Sequence, residues 1–217
     1  MNLYQMSSGI LNNTYTNESG QAIYKVSTPH KFSGRVTTIS RIVPSDYEPP
    51  RVEDTTSYEL GSLRKCTPAR SDSDGSSIGR EPEVDFRDRF APLGYIDWKV
   101  FASSVMRYKG EEVKATTYLK KQGWGSYGRN RVFKGPDGKE YKWILGSSIP
   151  ELILNDGSKT LIARFHTRKL GVFSPANARP AYLEILPDGE HMVDVIFFTF
   201  IYIEKIRKEQ ERNSAAA

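Results

Sequence analysis

Residues Val195 to Ile203 read V-I-F-F-T-F-I-Y-I, and a charged tail from Glu204 to Arg212 follows at once. Wound as a helix, Val195, Ile196, Phe197, Phe198, Phe200, Ile201 and Ile203 leave no polar side, so every side must be covered. A bilayer, a helical bundle or a wrapping of strands would each do this. The apolar run from Met192 to Ile203 has 12 residues, about 18 Å at 1.5 Å per residue. A bilayer needs about 20, and Asp194 interrupts the run, so no transmembrane span is expected. No second convincing helix is present to build a bundle. Strands are left, and the expected fold is β-rich: a closed antiparallel β-barrel of about ten strands around one C-terminal helix, which also removes exposed sheet edges.

The helix has readable ends. Asp188 is placed to cap it, with Glu190 and Asp194 near the positive end of its dipole. Lys205, Arg207, Lys208 and Arg212 lie toward the other end, and Glu204 and Lys208 form an i,i+4 pair in the favourable order. Strands are expected over 22–27, 35–43, 94–101, 103–108, 112–119, 129–134, 139–145, 151–154, 160–167 and 181–186, from β-branched and alternating residues. Lys109-Gly110 is a hairpin candidate. Gly135-Pro136-Asp137-Gly138 is the clearest one, because proline presets φ and Asp-Gly accepts turn geometry. Gly123 to Gly128 reads as a glycine-rich connection. It is not a phosphate loop, since it lacks G-K-S/T and no helix follows.

Two segments stand apart. Residues 1–21, rich in Ser, Asn and Thr, are expected to be disordered, as is a tail at 213–217. Residues 45–92 hold five prolines, seven serines and few aliphatics, too little apolar surface to offset the entropy of ordering them. They are read as a disordered insertion in a single domain spanning 22–212. Charge divides along the same line. Residues 45–92 carry a net −4, and the remainder a net +9. A basic folded part favours anionic partners, with solubility alone as the plainer account.

Four segments carry a family resemblance: G-P-D-G-K-E-Y-K-W (135–143), L-I-A-R-F-H (161–166), Y-L-E-I (182–185) and D-V-I-F-F-T-F-I-Y-I-E-K (194–205). Together they resemble a family of fungal proteins of unknown function, common in mushroom-forming fungi. That family is itself similar to the tubby-like superfamily of tubby C-terminal domains, phospholipid scramblases and LURP-one-related proteins. The resemblance covers 93–212 well and 22–43 loosely. It implies a twelve-stranded barrel threaded by a C-terminal apolar helix, and it brings no established activity.

Candidate site residues are few. The strand from Thr160 to Lys169 places Ile162, Arg164, His166 and Arg168 on one face, with Leu161, Ala163, Phe165 and Thr167 on the inner one. Arg164, His166, Arg168, Lys169 and nearby Lys142 form a candidate site for an anionic ligand such as a phosphoinositide head group, since arginine's planar fork suits phosphate. The plainer reading is a solvated strand face. His30, His166 and His191 are scattered, and Cys66 is the single cysteine, so neither a metal site nor a Cys-His pair is expected. A lone cysteine fits a reducing, intracellular compartment. No secretion signal is recognisable, and the Asn12 and Asn17 sequons matter only for a secreted chain. Trp98 and Trp143 read as core, and Trp124 as exposed. Ser71, Ser73 and Thr67 sit in phosphorylation-like contexts.

No catalytic constellation and no cofactor motif emerges. The expectation is a non-enzymatic intracellular binding module, cytoplasmic or peripheral at a membrane, for an anionic lipid surface or a protein partner. A scramblase-like lipid-handling activity and a nucleic-acid-associated regulator are the alternatives. The second is weakest, because no basic recognition helix is present.

Overall fold

The computed structural model describes residues 1–29, 35–43, 90–99, 102–146, 149–169 and 178–216. Thirteen strands form one antiparallel sheet: β1 (Asn2–Gln5), β2 (Asn13–Thr16), β3 (Ala22–Ser27), β4 (Arg35–Ile42), β5 (Phe90–Trp98), β6 (Val105–Tyr108), β7 (Glu111–Lys114), β8 (Lys120–Gly125), β9 (Gly128–Lys134), β10 (Glu140–Leu145), β11 (Pro150–Leu154), β12 (Leu161–His166) and β13 (Tyr182–Ile185). A single helical turn, α1 (Ala115–Tyr118), separates β7 from β8, and the long helix α2 (Val193–Ala215) ends the chain.

The strand order is β7-β6-β5-β4-β3-β2-β1-β13-β12-β11-β10-β9-β8. Two meanders are therefore zipped together where β1 pairs with β13, in the register Asn2↔Glu184 and Leu3↔Leu183. The expected closed barrel does not form, because β7 and β8, neighbours in sequence, do not pair and are the two edges of the sheet. The reason lies in residues 112–119, expected to be one strand. Ala115 and Leu119 are four apart and both buried while Thr117 between them is exposed, a pattern that a helical turn produces and a strand, which would bury Thr117 on the same face, does not. The Leu119 N–H donates to Ala115 O at 2.8 Å, and the Ala115 N–H to Ser104 O at 2.8 Å. The turn thus replaces the hairpin that would have closed the ring. The exposed edges carry charge, with Glu111 and Glu112 on β7 and Lys120 and Lys121 on β8, which discourages pairing with other chains.

The sheet nonetheless curls round α2. Successive helix residues advance by about 100°, and four in a row meet four sectors of the sheet in order. Phe197 stacks on Tyr24 of β3 at 4.1 Å and meets Tyr15 of β2 edge-on at 4.7 Å. Phe198 packs on Tyr108 of β6 at 5.1 Å, and beside Gly94 of β5, where a Cβ would lie 2.7 Å from its ring. The Thr199 hydroxyl accepts from the Trp143 indole N–H of β10 at 3.0 Å. Phe200 meets Phe165 of β12 at 5.0 Å. All seven helix residues read from the sequence as core are buried.

Several boundaries differ from expectation. Residues 1–21 contribute β1 and β2. Leu3 and Tyr15 are fully buried in the core, and the Asn13 carboxamide accepts from the Met6 and Ser7 N–H groups at 3.1 and 3.0 Å. The Asn and Ser residues thus build a turn between core strands. Gly123 to Gly128, expected to be a connection, is the β8–β9 hairpin, with Gly125↔Gly128 at its end. The helix runs through Ala215, so residues 213–215 are helical. Asp188 lies inside a 3-10 turn, Pro187–Met192, and does not cap α2, whose N-cap residue is Met192. Asp194 accepts instead from the Tyr24 hydroxyl and pairs with Arg41 at 2.7 Å. The insertion expected at 45–92 lies outside the described residues, apart from residues 90–92, which belong to β5. The flanking strands pair directly, with Ile42↔Phe90. Both hairpin expectations hold. Lys109 and Gly110 have φ of 49° and 87°, as a two-residue turn of this hand requires, and Glu140↔Lys134 closes the other.

Candidate anion-binding pocket

Where α2 leaves the sheet, its charged residues meet the ends of β1 and β12. A pocket of about 400 Å³ opens there. Arg168 and Lys169 reach it from the segment following β12. Arg179 reaches it from the residues before β13, held by the paired backbone bonds Lys169 N–H to Arg179 O and Arg179 N–H to Lys169 O, both 3.0 Å. Lys208 comes from α2, and Gln5, Met6 and Ser7 form the wall at the β1 end.

Among the described residues one carboxylate lines the pocket, that of Glu204, and it is already engaged. Glu204 is 0% exposed and Arg207 2%. The guanidinium grips the carboxylate through two donors, Nε at 2.7 Å and Nη2 at 3.0 Å. Burial works against the Arg207 charge, but the hydrogen bonds and charge of Glu204 outweigh it and hold its pKa above the usual arginine value. Lys208 Nζ lies 3.7 Å from the same carboxylate. With Glu204 satisfied by Arg207, the cations Arg168, Lys169, Arg179 and Lys208 give the pocket a net positive charge. Arg179 is half-buried, its guanidinium 5.2 Å from the Tyr182 ring centre, and its Nε has no hydrogen-bond partner among the described residues. Its Nη1 donates to the Tyr182 hydroxyl at 3.3 Å, and an oxyanion such as phosphate, with several acceptor oxygens, suits the rest of that planar donor fork.

The five residues expected to share a site divide between three places. Arg168 and Lys169 line the pocket. Arg164 and His166 occupy the outside of β12 and are already paired, Arg164 with Glu151 at 2.8 Å and His166 with Glu184 at 2.7 Å. His166 also stacks on Tyr182 at 4.3 Å. Lys142 sits on β10, two strands away. Ile162, placed on the outer face with them, is buried against Gly189 of the 3-10 turn. Arg179 and Lys208 were missed, because a strand face read along one strand cannot show what a helix end and a distant loop bring to it.

Trp98 and Trp143 are core residues, and their indole N–H groups donate to Thr37 at 2.7 Å and Thr199 at 3.0 Å. Trp124 is 78% exposed on β8, with the Arg129 guanidinium 5.4 Å from its ring centre. Among the described residues no group of three or more His, Cys, Asp and Glu side chains is placed to hold a metal ion. Cys66, His30, Thr67, Ser71 and Ser73 lie outside the described residues. No described helix is long and apolar enough to cross a membrane.

No curated protein and no solved structure matches the chain. A family model does match, over residues 8–209, nearly the whole length and every strand from β2 to β13. The chain belongs to DUF6593, a family of unknown function.

Proposed function

We propose that this protein is a non-catalytic binding module whose basic pocket receives the phosphate-bearing head group of an anionic lipid at a membrane surface. The observation that carries this reading is the convergence of Arg168, Lys169, Arg179 and Lys208 on one concavity where the one carboxylate among the described residues is already neutralised. Met6, 67% exposed beside the pocket, adds an apolar group where a head group would meet acyl chains. The enclosed apolar helix supports the likeness to the tubby-like superfamily as part of the same proposal.

Diffuse attraction to an anionic leaflet contributes about 1 kcal/mol per basic residue. A pocket adds charge-assisted hydrogen bonds of about 1.5–3 kcal/mol each, which depend on geometry. Co-sedimentation with vesicles of equal charge density, one set carrying a polyphosphoinositide and the other phosphatidylserine, separates the two. The polyphosphoinositide vesicles should bind more tightly. That preference should be lost in Arg168→Ala/Arg179→Ala and kept in Arg164→Ala, whose guanidinium is paired outside the pocket. Equal weak binding to both vesicle sets, unchanged in the double variant, overturns the proposal.

A further inference from the structure

The break in the sheet has a consequence of its own. Between the β6–β7 hairpin with α1 on one side and the β9–β10 turn on the other lies a second cavity, of about 270 Å³. Its floor is the enclosed helix, through Val195 and Phe198, and Met106, Tyr108, Val113 and Tyr118 supply its walls. Glu111 and Lys134, of opposite sign, also line it, so it selects no net charge. The Tyr108 hydroxyl is buried and has no hydrogen-bond partner among the described residues. Leaving such a group unpaired is costly.

We propose that this seam is a binding site for a small neutral molecule, an aromatic ring or short chain carrying one polar head that hydrogen-bonds to Tyr108. An apolar cavity of about 150 Å³ already holds a benzene ring, so this one has room for a bicyclic ring. The floor is preformed: Phe198 is held on one side by Gly94 and on another by the Tyr108 ring. The site is separate from the basic pocket, since Phe198 and Glu204 are six residues apart on α2, about 9 Å along the axis.

Isothermal titration of the full chain with indole, p-cresol and toluene as probes tests the site. Wild-type protein should bind p-cresol about tenfold more tightly than toluene. The difference should vanish in Tyr108→Phe, which keeps the ring packed on Phe198 and should melt no lower than wild type. Val113→Trp, filling the seam from a half-buried position, should abolish binding of all three probes. Arg168→Ala/Arg179→Ala should leave indole binding unchanged, so loss of head-group binding and loss of seam binding are read separately. No binding of any probe to wild-type protein overturns the proposal. So does a p-cresol preference that survives Tyr108→Phe, which decides the matter even if Val113→Trp does not fold.

Discussion

Replacing Glu204 with glutamine should be among the most damaging single changes to this fold. The carboxylate is fully buried and takes two hydrogen bonds from a guanidinium that is itself buried. Glutamine keeps the volume and loses the charge. Arg207 is then left with Glu211, 3.4 Å away and half-exposed, which solvent screens. Breaking one side of a buried pair costs about 3–5 kcal/mol. An exposed pair would cost about 0–1 kcal/mol. Arg207→Met should cost less than Glu204→Gln, because Lys208, 3.7 Å from Glu204, stays near the orphaned carboxylate. Glu204→Leu/Arg207→Met should recover most of the loss, since matched apolar replacement of a buried pair is about neutral or stabilising. Urea unfolding monitored by tryptophan fluorescence gives the four stabilities, and an unchanged m-value shows that the denatured state is the same throughout. A loss below about 1 kcal/mol in Glu204→Gln, with no recovery in the double variant, would mean that the pair is solvated. The sheet would then not enclose the helix as far as its second half.

Thr199→Val strands the buried Trp143 indole N–H, now bonded at 3.0 Å, and should cost about 1–3 kcal/mol; Thr199→Ser, which keeps the oxygen, should lower Tm far less. Gly94→Ala would put a Cβ 2.5 Å from the Arg107 carbonyl oxygen and 2.7 Å from the Phe198 ring, for a loss of about 1–3 kcal/mol in thermal unfolding. Alkaline titration followed by phenolate absorbance should show six late tyrosines. Burial raises the pKa of Tyr15, Tyr24, Tyr108, Tyr118, Tyr141 and Tyr202, with Tyr118 and Tyr141 reaching about 12. The folded state holds these protons more tightly than the unfolded chain. Their contribution to stability is therefore full below about pH 10 and lost as pH rises from there toward the folded values. Six tyrosines that instead ionise near pH 10 in the folded protein would refute their burial.

The enclosed helix was legible from the sequence because burial on all sides is a property of nine consecutive residues and needs no knowledge of the partners. Most strands and both tight hairpins were legible for the same reason, their signals being local. The break in the ring was not. Ala115 and Leu119 fit either a strand or a helical turn by composition, and tertiary burial decided between them. The N-terminal strands were hidden by their Ser- and Asn-rich turn, whose bonding through Asn13 only the folded loop reveals. The charged tail misled most. Glu204 and Arg207 belong to what reads as a charged tail, yet each removes the other's need for water, so the helix stays buried past its apolar run. The basic pocket was half legible. Arg168 and Lys169 are adjacent in sequence, whereas Arg179 and Lys208 arrive from a bridge and a helix end that no strand pattern connects to them.

Native-state amide hydrogen exchange across residues 195–204 tests the central claim, that an open sheet wraps this helix and makes it the core. The prediction is that these amides exchange only through global unfolding, with the same free energy as the amides of β10 and β12 that pack on them. Exchange of 195–204 at markedly lower free energy than those strands, with the sheet still protected, would show a helix that leaves while the sheet persists, and would contradict the account.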